Sequence, residues 1–317
     1  MAAGTYDDHR PFVKGDHCSK VGRLPRVDPL VVSVRRGGVE ESRHLVHAVA
    51  VHAGAVVDEA GDSGRVAYLR SSAKPFQALP LVRARNDLTI AEIAIACASH
   101  LAAPEQLAAV RSLLAKAPAT EGELECGPEP TSLRHNCSGK HAGMLALCRA
   151  HGWPSGGYRL ATHPVQEACL AVVAEAADVD QAELETAVDG CGVVTFALPL
   201  ERMALMFGRL EQLEGGATVA AAMRSHPELV RGPIAADSLL MRELHGWTAK
   251  GGAEGLLCAC GPDGVGIALK VEDGNMRAMR PALAELLRRL GLDAGDLGPV
   301  PLENSRGESV GEIVVSR

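Results

Sequence analysis

The sequence predicts an α+β fold in which helices flank a mainly antiparallel sheet and a helical segment is inserted between two groups of strands. Short apolar runs that alternate or end at glycine-rich turns occupy the first and last thirds of the 317-residue chain. Segments with helical spacing of apolar residues fill the middle. Since the apolar faces of both strand groups must be buried, we expect the two groups to pair in one sheet.

The first strand group is followed by a helix that begins at a serine-rich turn. Strand-like runs bounded by turn residues occupy 30–34, 43–51, 55–57 and 66–69. A helix is predicted over 72–84, and Pro75 suits its first turn because the N–H that proline lacks is not needed there.

The middle of the chain has helical periodicity, and the last third returns to strands. Helices are predicted at 88–97, 104–114, 136–151, 163–177, 199–213, 216–225 and 235–245, with one short strand at 185–188. Strands at 247–251, 255–259 and 264–271 precede a last helix at 277–291. Residues 1–27 are interpreted as a flexible lead and residues 28–317 as a single catalytic domain.

Composition restricts the kind of ligand and the compartment. The chain is 47% apolar, 22% charged and only 3% aromatic, with a net charge of −7 and no stripe of lysine and arginine. These values argue against nucleic acid and favour a small-molecule ligand. No apolar run reaches the roughly 18 residues of a membrane span. Nine cysteines without the spacing of a disulfide scaffold indicate a cytoplasmic protein.

A serine three residues before a lysine marks the first candidate for chemistry. In a helix that begins near residue 72, Ser71 and Lys74 lie on one face, whereas Ser72 points elsewhere. A serine hydroxyl becomes a good nucleophile only when a base accepts its proton, and a lysine serves as that base only when its pKa is lowered. An N-cap serine followed by a surface lysine is the alternative interpretation.

Several short polar segments together resemble a known protein family. Ser71-Ser-Ala-Lys74-Pro, Ala98-Ser99-His100 and Asp189-Gly-Cys191-Gly accompany the longer stretch Leu133-Arg-His-Asn-Cys137-Ser-Gly-Lys140-His141-Ala-Gly-Met144. The combination is similar to the signatures of the asparaginase II family, the rhizobial-type or class 3 L-asparaginases. The resemblance covers about residues 30–290.

The resemblance implies a fold and a set of catalytic residues. Members of this family are similar to serine β-lactamases and penicillin-binding proteins, in which a Ser-x-x-Lys motif opens a helix beside an antiparallel sheet. The resemblance makes Ser71 the nucleophile, Lys74 its base and Ser99 the second serine, which a lysine from a late strand supports.

The late-strand lysine has two candidates in the sequence. Lys270 is preferred because it falls on an interior strand, and Lys250 is the runner-up because it lies in a glycine-rich turn that is more easily solvated. Arg70 is expected to fix Ser71 or a substrate carboxylate, and His100 is assigned to substrate binding.

The same resemblance implies a zinc site. Its ligands would be Cys137, Lys140 and Cys191, with His141 and Asp189 around them. On residue type alone, His141 is a more common ligand than Lys140, because an amine binds metal only when it is deprotonated. Three protein ligands would leave a fourth position for water or substrate.

The predicted function is hydrolysis of L-asparagine to L-aspartate and ammonia through an acyl-enzyme. A related amidase with another amide substrate, such as glutamine, is the first alternative. A zinc-binding or ligand-binding protein without turnover is the second. The resemblance also implies a homodimer, and we expect no nucleic-acid or membrane partner.

Overall fold

The computed structural model describes residues 27–316, which form a mixed α and β structure with an antiparallel sheet. Apart from Val27, the predicted lead at 1–27 lies outside the described residues. The strands of the main sheet are β1 (Leu30–Arg36), β2 (Val39–His52), β3 (Ala55–Ala60), β7 (Thr248–Gly252), β8 (Leu256–Cys260), β9 (Gly266–Val271), β10 (Val300–Glu303) and β11 (Ser309–Val315). Their order is β10-β11-β1-β2-β9-β8-β7, and β3 pairs with β2.

The predicted pairing between the first and last strand groups is confirmed. The antiparallel ladder between β2 and β9 runs from Val46 opposite Val271 to Val51 opposite Gly266. These two strands lie in the interior of the sheet, and their central residues are buried. Burial of both apolar faces therefore joins parts of the chain that are more than 200 residues apart in sequence.

The strands β10 and β11 were missed by the sequence prediction, which ended at the helix 277–291. β11 pairs with β1, and β10 forms the edge of the sheet beside β11. β10 contains Pro301 and alternates between exposed and half-buried residues, so it lacks the apolar run that identifies an interior strand.

A second, three-stranded sheet carries the segment with the Ser-x-x-Lys motif. In it β6 (Val194–Pro199) lies between β4 (Val66–Tyr68) and β5 (Thr186–Val188). The strand β6 was not predicted, and the helix expected over 199–213 begins one residue later and is interrupted near residue 209. The first five residues of β6 are buried, so their hydrophobic run carries no strand periodicity.

Helices cover the sheets and hold the loops that bear polar residues. The helix α7 (Leu200–Gly208) packs on β2, β8 and β9, while α10 (Ala236–Glu243) packs on β7. No helix within 27–316 combines the length and hydropathy required to span a bilayer. The helices are α1 (Lys74–Gln77), α2 (Leu79–Ala84), α3 (Ile90–Ala96), α4 (Pro104–Lys116), α5 (Ser138–His151), α6 (Pro164–Ala177), α7 (Leu200–Gly208), α8 (Gly216–Ser225), α9 (Pro227–Val230), α10 (Ala236–Glu243) and α11 (Met279–Arg289).

Candidate active site

The turn that carries Ser71 is held in an unusual backbone conformation. Residues Arg70–Ala73 form a 3₁₀ turn between β4 and α1, and Arg70 has a positive φ of 50°. The Arg70 N–H donates to Thr195 Oγ1 at 3.0 Å, and its guanidinium donates to Asp189 Oδ1 at 2.5 Å. A non-glycine residue with positive φ is uncommon and persists only where its surroundings fix it. Here β6 and the Asp189 turn do so.

The two serines of this turn have different surroundings. Ser72 is completely buried and its hydroxyl donates to the carbonyl oxygen of Lys250 at 2.8 Å. Ser71 is partly exposed, and its hydroxyl has no hydrogen-bond partner within residues 27–316. A serine hydroxyl that is reachable from solvent and not used by the fold is available to a ligand.

Lys74 lies at the start of α1 with its amine completely buried. Its Nζ donates to Ser99 Oγ at 3.0 Å and to the carbonyl oxygen of Ala98. Burial lowers the pKa of Lys74 and the Lys140 charge lowers it further, although Cys137 and Cys191 oppose the shift. An amine with a lowered pKa can accept a proton near neutral pH.

A second buried lysine, Lys250, comes from the edge strand β7. Its Nζ lies 3.6 Å from Asp237 Oδ2 and donates to the carbonyl oxygen of Gly251 at 2.8 Å. Burial lowers the pKa of Lys250 to about 7; the charges of Lys74 and Arg231 act in the same direction and Asp237 acts against them. Lys250 therefore changes its charge close to neutral pH.

The strand β7 and the serine turn are in close contact because β7 ends in glycine. A Cβ on Gly252 would lie 2.8 Å from the carbonyl oxygen of Leu69 and 3.0 Å from Ser72 Oγ. Only a residue without a side chain allows this approach. The approach brings the backbone of Lys250 within hydrogen-bond distance of the turn that carries Ser71.

A third group of residues lies at the start of α5 and in the turn between β5 and β6. Cys137, Lys140 and Cys191 are all buried, and Lys140 Nζ donates to Cys191 Sγ at 3.1 Å. A hydrogen bond between the two cysteine side chains lowers the pKa of Cys137 and raises that of Cys191. Burial lowers the pKa of Lys140, but Cys191, Cys137 and Asp189 raise it by more, so that the pKa lies above its ordinary value.

Comparison with known proteins identifies the family. The family model described as L-asparaginase II matches residues 32–315, nearly the whole chain. The chain belongs to the L-asparaginase II family. A search of curated proteins gives no match.

Two solved structures of Mglu in its native form resemble this L-asparaginase II family member. The first is 13% identical with a TM-score of 0.49, covering 79% of this chain and 66% of the Mglu chain. The second, in the presence of 4.3 M NaCl, is 14% identical with a TM-score of 0.48, covering 79% and 62%. The chain thus spans about two-thirds of the length of the Mglu chains or less.

The structure places the two candidate late-strand lysines in different parts of the main sheet. Lys250 pairs with Cys258 of β8, while Lys270 pairs with Leu256, so Lys270 lies two strands from Lys250 and two residues further along. Lys270 is only partly buried, and its nearby charges belong to Arg65, Glu254, Asp273 and Glu272 rather than to Lys74. The glycines next to Lys250 suggested a solvated turn in the sequence, but in the structure Lys250 is completely buried.

Two residues assigned to substrate binding are engaged within this L-asparaginase II fold. Arg70 forms the ion pair with Asp189 described above. His100 is buried, its Nδ1 accepts from the Ala102 N–H at 3.1 Å, and its Nε2 lies 2.8 Å from Ser138 Oγ. Burial lowers the pKa of His100 to about 4, so the ring is neutral. In these positions Arg70 orients the turn and His100 ties the Ser99 loop to α5.

The three residues expected to bind zinc lie close together, but the Lys140 amine is protonated. No cluster of three or more histidine, cysteine or acidic side chains in residues 27–316 is arranged for a metal, and the converging set is instead two sulfurs and an amine. The donor types fit zinc, which prefers sulfur and nitrogen ligands. Because its pKa is raised, Lys140 must lose a proton before it can ligate.

Of the residues expected around the metal, Asp189 and His141 lie beside this set. Asp189 accepts hydrogen bonds from Arg70 and from the Gly190 N–H. His141 Nδ1 lies 2.8 Å from the Tyr158 hydroxyl, and its buried Nε2 has no partner among the described residues. Of the two alternative ligands His141 and Lys140, Lys140 is the one that donates a hydrogen bond to Cys191.

The sequence analysis missed Asp237. This buried carboxylate in α10 accepts from the Gly251 N–H at 2.9 Å and faces Lys250. A single aspartate in a helical segment has no distinguishing pattern, so only the packing of α10 on β7 identifies it.

Proposed function

We propose that this chain hydrolyses the side-chain amide of L-asparagine to give L-aspartate and ammonia, with Ser71 as the nucleophile. The carrying observation is that the buried Lys74, three residues after the partly exposed Ser71, donates to Ser99 Oγ and lies close enough to the buried Lys250 to lower its pKa. Membership of the L-asparaginase II family supports the choice of an amide of this class. Paired buried amines have lowered pKa values, which is the property that a lysine base requires.

In the proposed first step, Ser71 Oγ attacks the amide carbon of asparagine as its proton passes to a neutral lysine amine. Lys74 is the proposed acceptor, since it follows Ser71 by one helical turn. The carbon–nitrogen bond then breaks and the nitrogen leaves as ammonia, with a proton relayed through Ser99, whose Oγ lies 3.0 Å from Lys74 Nζ. Backbone N–H groups near the turn would bind the oxyanion.

In the second step, water hydrolyses the aspartyl ester on Ser71. Its proton goes to the same amines, and Ser71 recovers its hydroxyl as aspartate leaves. Lys250 is the proposed partner of Lys74 here, in place of Lys270, because it changes charge close to pH 7.

The finer features expected from the resemblance belong to the same proposal. A β-lactamase-like arrangement would combine Ser71-Ser-Ala-Lys74, Ser99 and Lys250-Gly-Gly on the edge strand; the last differs from the Lys-Thr-Gly of penicillin targets.

We propose that Cys137, Lys140 and Cys191 hold zinc, which when bound would supply a Lewis acid beside the site. A homodimer and a cytoplasmic location are proposed on the resemblance and the cysteine content.

Replacement of Ser71 by alanine tests the proposed nucleophile. We expect Ser71→Ala to reduce ammonia release from asparagine by at least about 1,000-fold, because the covalent route is removed. Ser63→Ala, at a half-buried serine on the loop before β4 whose hydroxyl donates to Glu59, is the control and should retain activity. Glutamine assayed in parallel distinguishes the related amidase. Undiminished activity in Ser71→Ala would reject the nucleophile, and no ammonia from any amide with the wild type would reject the enzyme.

A further inference from the structure

A cleft of about 350 Å³ opens beside the two elements that carry Ser99 and Lys250. Leu101, two residues after Ser99, lines one wall, and Gly251, next to Lys250, lines another. The volume is at the lower end of the range for small-molecule sites. The cleft therefore adjoins the chain segments next to Ser99 and Lys250, whose own side chains are not part of its lining.

The charge of this cleft is opposite to that of the whole chain. Its lining contains the three arginines Arg231, Arg277 and Arg280, and Asp237 is its single acidic residue. The chain as a whole has a net charge of −7. A local excess of guanidinium groups on an acidic protein favours an anionic ligand.

Of these arginines, Arg231 is the one whose whole guanidinium lacks a partner among residues 27–316. Arg277 donates to His44 and Ser42, and Arg280 donates to the carbonyl oxygen of Asp296 through Nη2, although its buried Nε has no partner in that range. The side chain of Arg231 has neither a hydrogen bond nor an ion pair with any residue between 27 and 316. It is half-buried, and a guanidinium keeps its charge throughout the physiological pH range.

The position of Arg231 is fixed by the absence of a side chain on β7. A Cβ on Gly251 would lie only 2.8 Å from Arg231 Nη1 and 3.2 Å from Asp237 Oδ2. The guanidinium thus lies against the strand backbone, next to the residue that contributes the Lys250 amine. Asp237 is already engaged by Lys250 and the Gly251 N–H, so it does not complete a pair with Arg231 within 4 Å.

Exposed apolar side chains surround the mouth of the cleft. Leu101, Ile234 and Met276 are 67%, 78% and 37% exposed, and all three line it. Apolar groups that exclude water strengthen a charged hydrogen bond formed beside them. A carboxylate bound by Arg231 would be partly shielded in this way.

We propose that Arg231 binds the α-carboxylate of the amino-acid substrate and thereby determines that the enzyme acts on free amino-acid amides. The inference rests on the proposed function, since it assigns the recognition of a substrate whose amide reacts at Ser71. Arginine suits this role because its planar guanidinium can donate two parallel hydrogen bonds to one carboxylate. Arg231 is thus a specificity-determining residue.

The first test compares kinetic constants. Arg231→Ala should raise KM for asparagine about 10- to 100-fold, the loss of one charged hydrogen-bonding pair, while kcat changes much less. Arg231→Lys keeps a point charge without the second donor and should give an intermediate KM. Arg242→Ala removes an exposed arginine of α10 and should leave both constants unchanged. An unchanged KM in Arg231→Ala would overturn the inference while leaving the proposed function intact.

The second test is independent of turnover and uses a ligand that lacks only the carboxylate. In the Ser71→Ala background, calorimetry compares the binding of asparagine with that of 3-aminopropanamide. Adding Arg231→Ala should weaken asparagine binding about 10- to 100-fold and leave 3-aminopropanamide unaffected. Equal losses for both ligands would indicate a structural role and overturn the inference. If the wild type releases no ammonia, the proposed function fails and this binding comparison alone decides the role of Arg231.

Discussion

At the scale of single residues, burial determines which amines can do chemistry. Lys74 and Lys250 are completely enclosed, and their pKa values are lowered chiefly because burial penalises the charged form. The charge of Lys74 also lowers the pKa of Lys250, whereas Asp237 keeps that pKa from falling further. The carboxylate therefore adjusts Lys250 to the neutral range.

The charge state of Lys250 predicts the acidic limb of the pH profile. Since the protonated amine cannot accept a proton, kcat/KM for asparagine should rise as pH increases through about 7. In Asp237→Asn the carboxylate that favours the charged amine is lost, so the pKa of Lys250 falls and the limb should move down by about one unit or more.

Lys270 supplies the control for this experiment. Lys270→Met should keep most of the activity and an unchanged profile, whereas Lys250→Met should lose most of it. Initial rates of ammonia release between pH 5.5 and 9 give the comparison. A limb that stays in place in Asp237→Asn would show that Lys250 does not control it.

At the scale of elements, the site depends on one close contact between a strand and a turn. The small sheet delivers the turn, with the Leu69 N–H bonded to the carbonyl oxygen of Phe196, and β7 approaches it from the main sheet. Ser72 then joins the two through its bond to Lys250. The hydroxyl next to the nucleophile therefore has a structural role, and the distance between the two sheets determines the geometry of Ser71 and Lys250.

Enlarging Gly252 tests this contact. A Cβ there would overlap the carbonyl oxygen of Leu69, so Gly252→Ala must push β7 away from the turn. We expect a loss of about 1–3 kcal/mol in unfolding free energy, typical of overpacking, together with a fall of at least about 10-fold in kcat/KM. Urea unfolding and the asparagine assay measure the two effects.

The matched control is a glycine-to-alanine substitution at a position where an added Cβ contacts nothing. Gly38, in the turn between β1 and β2, has no atom within 4 Å of an added Cβ, so Gly38→Ala should preserve stability and activity. If Gly252→Ala were as active and stable as Gly38→Ala, the contact would not control the site.

At the scale of the whole molecule, distant segments supply the groups that meet. Lys74, Ser99, Cys137, Cys191 and Lys250 come from four helical or loop segments and one edge strand. The proposed zinc ligands connect the start of α5 to the turn between β5 and β6. A metal held there would stabilise the folded chain by binding it in preference to the unfolded chain.

Removal of zinc should therefore lower the melting temperature. At free zinc about 100-fold above its Kd, the expected stabilisation is about 3 kcal/mol. Cys137→Ser and Cys191→Ser should contain little zinc by elemental analysis and should no longer respond to a chelator. Cys148→Ala, which alters a buried cysteine further along α5, should keep its metal. Wild-type zinc content in Cys137→Ser or Cys191→Ser would exclude that residue as a ligand.

Much of this arrangement follows from local sequence. The interior strands of the main sheet and the helices α5 and α6 were predicted, because apolar spacing is a local signal. The spacing of Ser71 and Lys74 is also local, whereas the set of Cys137, Lys140 and Cys191 was implied by the family resemblance. The weakly apolar edge strand β10, with its pairing to β11, was not predictable in this way.

The sequence by itself determined the chemical inventory and the α+β class, because apolar periodicity and motif spacing require no knowledge of distant contacts. Only the tertiary structure placed Lys250 rather than Lys270 near Lys74, set Asp237 beside Lys250, and left Arg231 in a cleft without a partner among residues 27–316. The reason is physical. The pKa of an amine depends on burial and on charges that packing brings close. The glycines of β7, which in the sequence indicated a solvated turn, let the strand pack closely against the turn that carries Ser72.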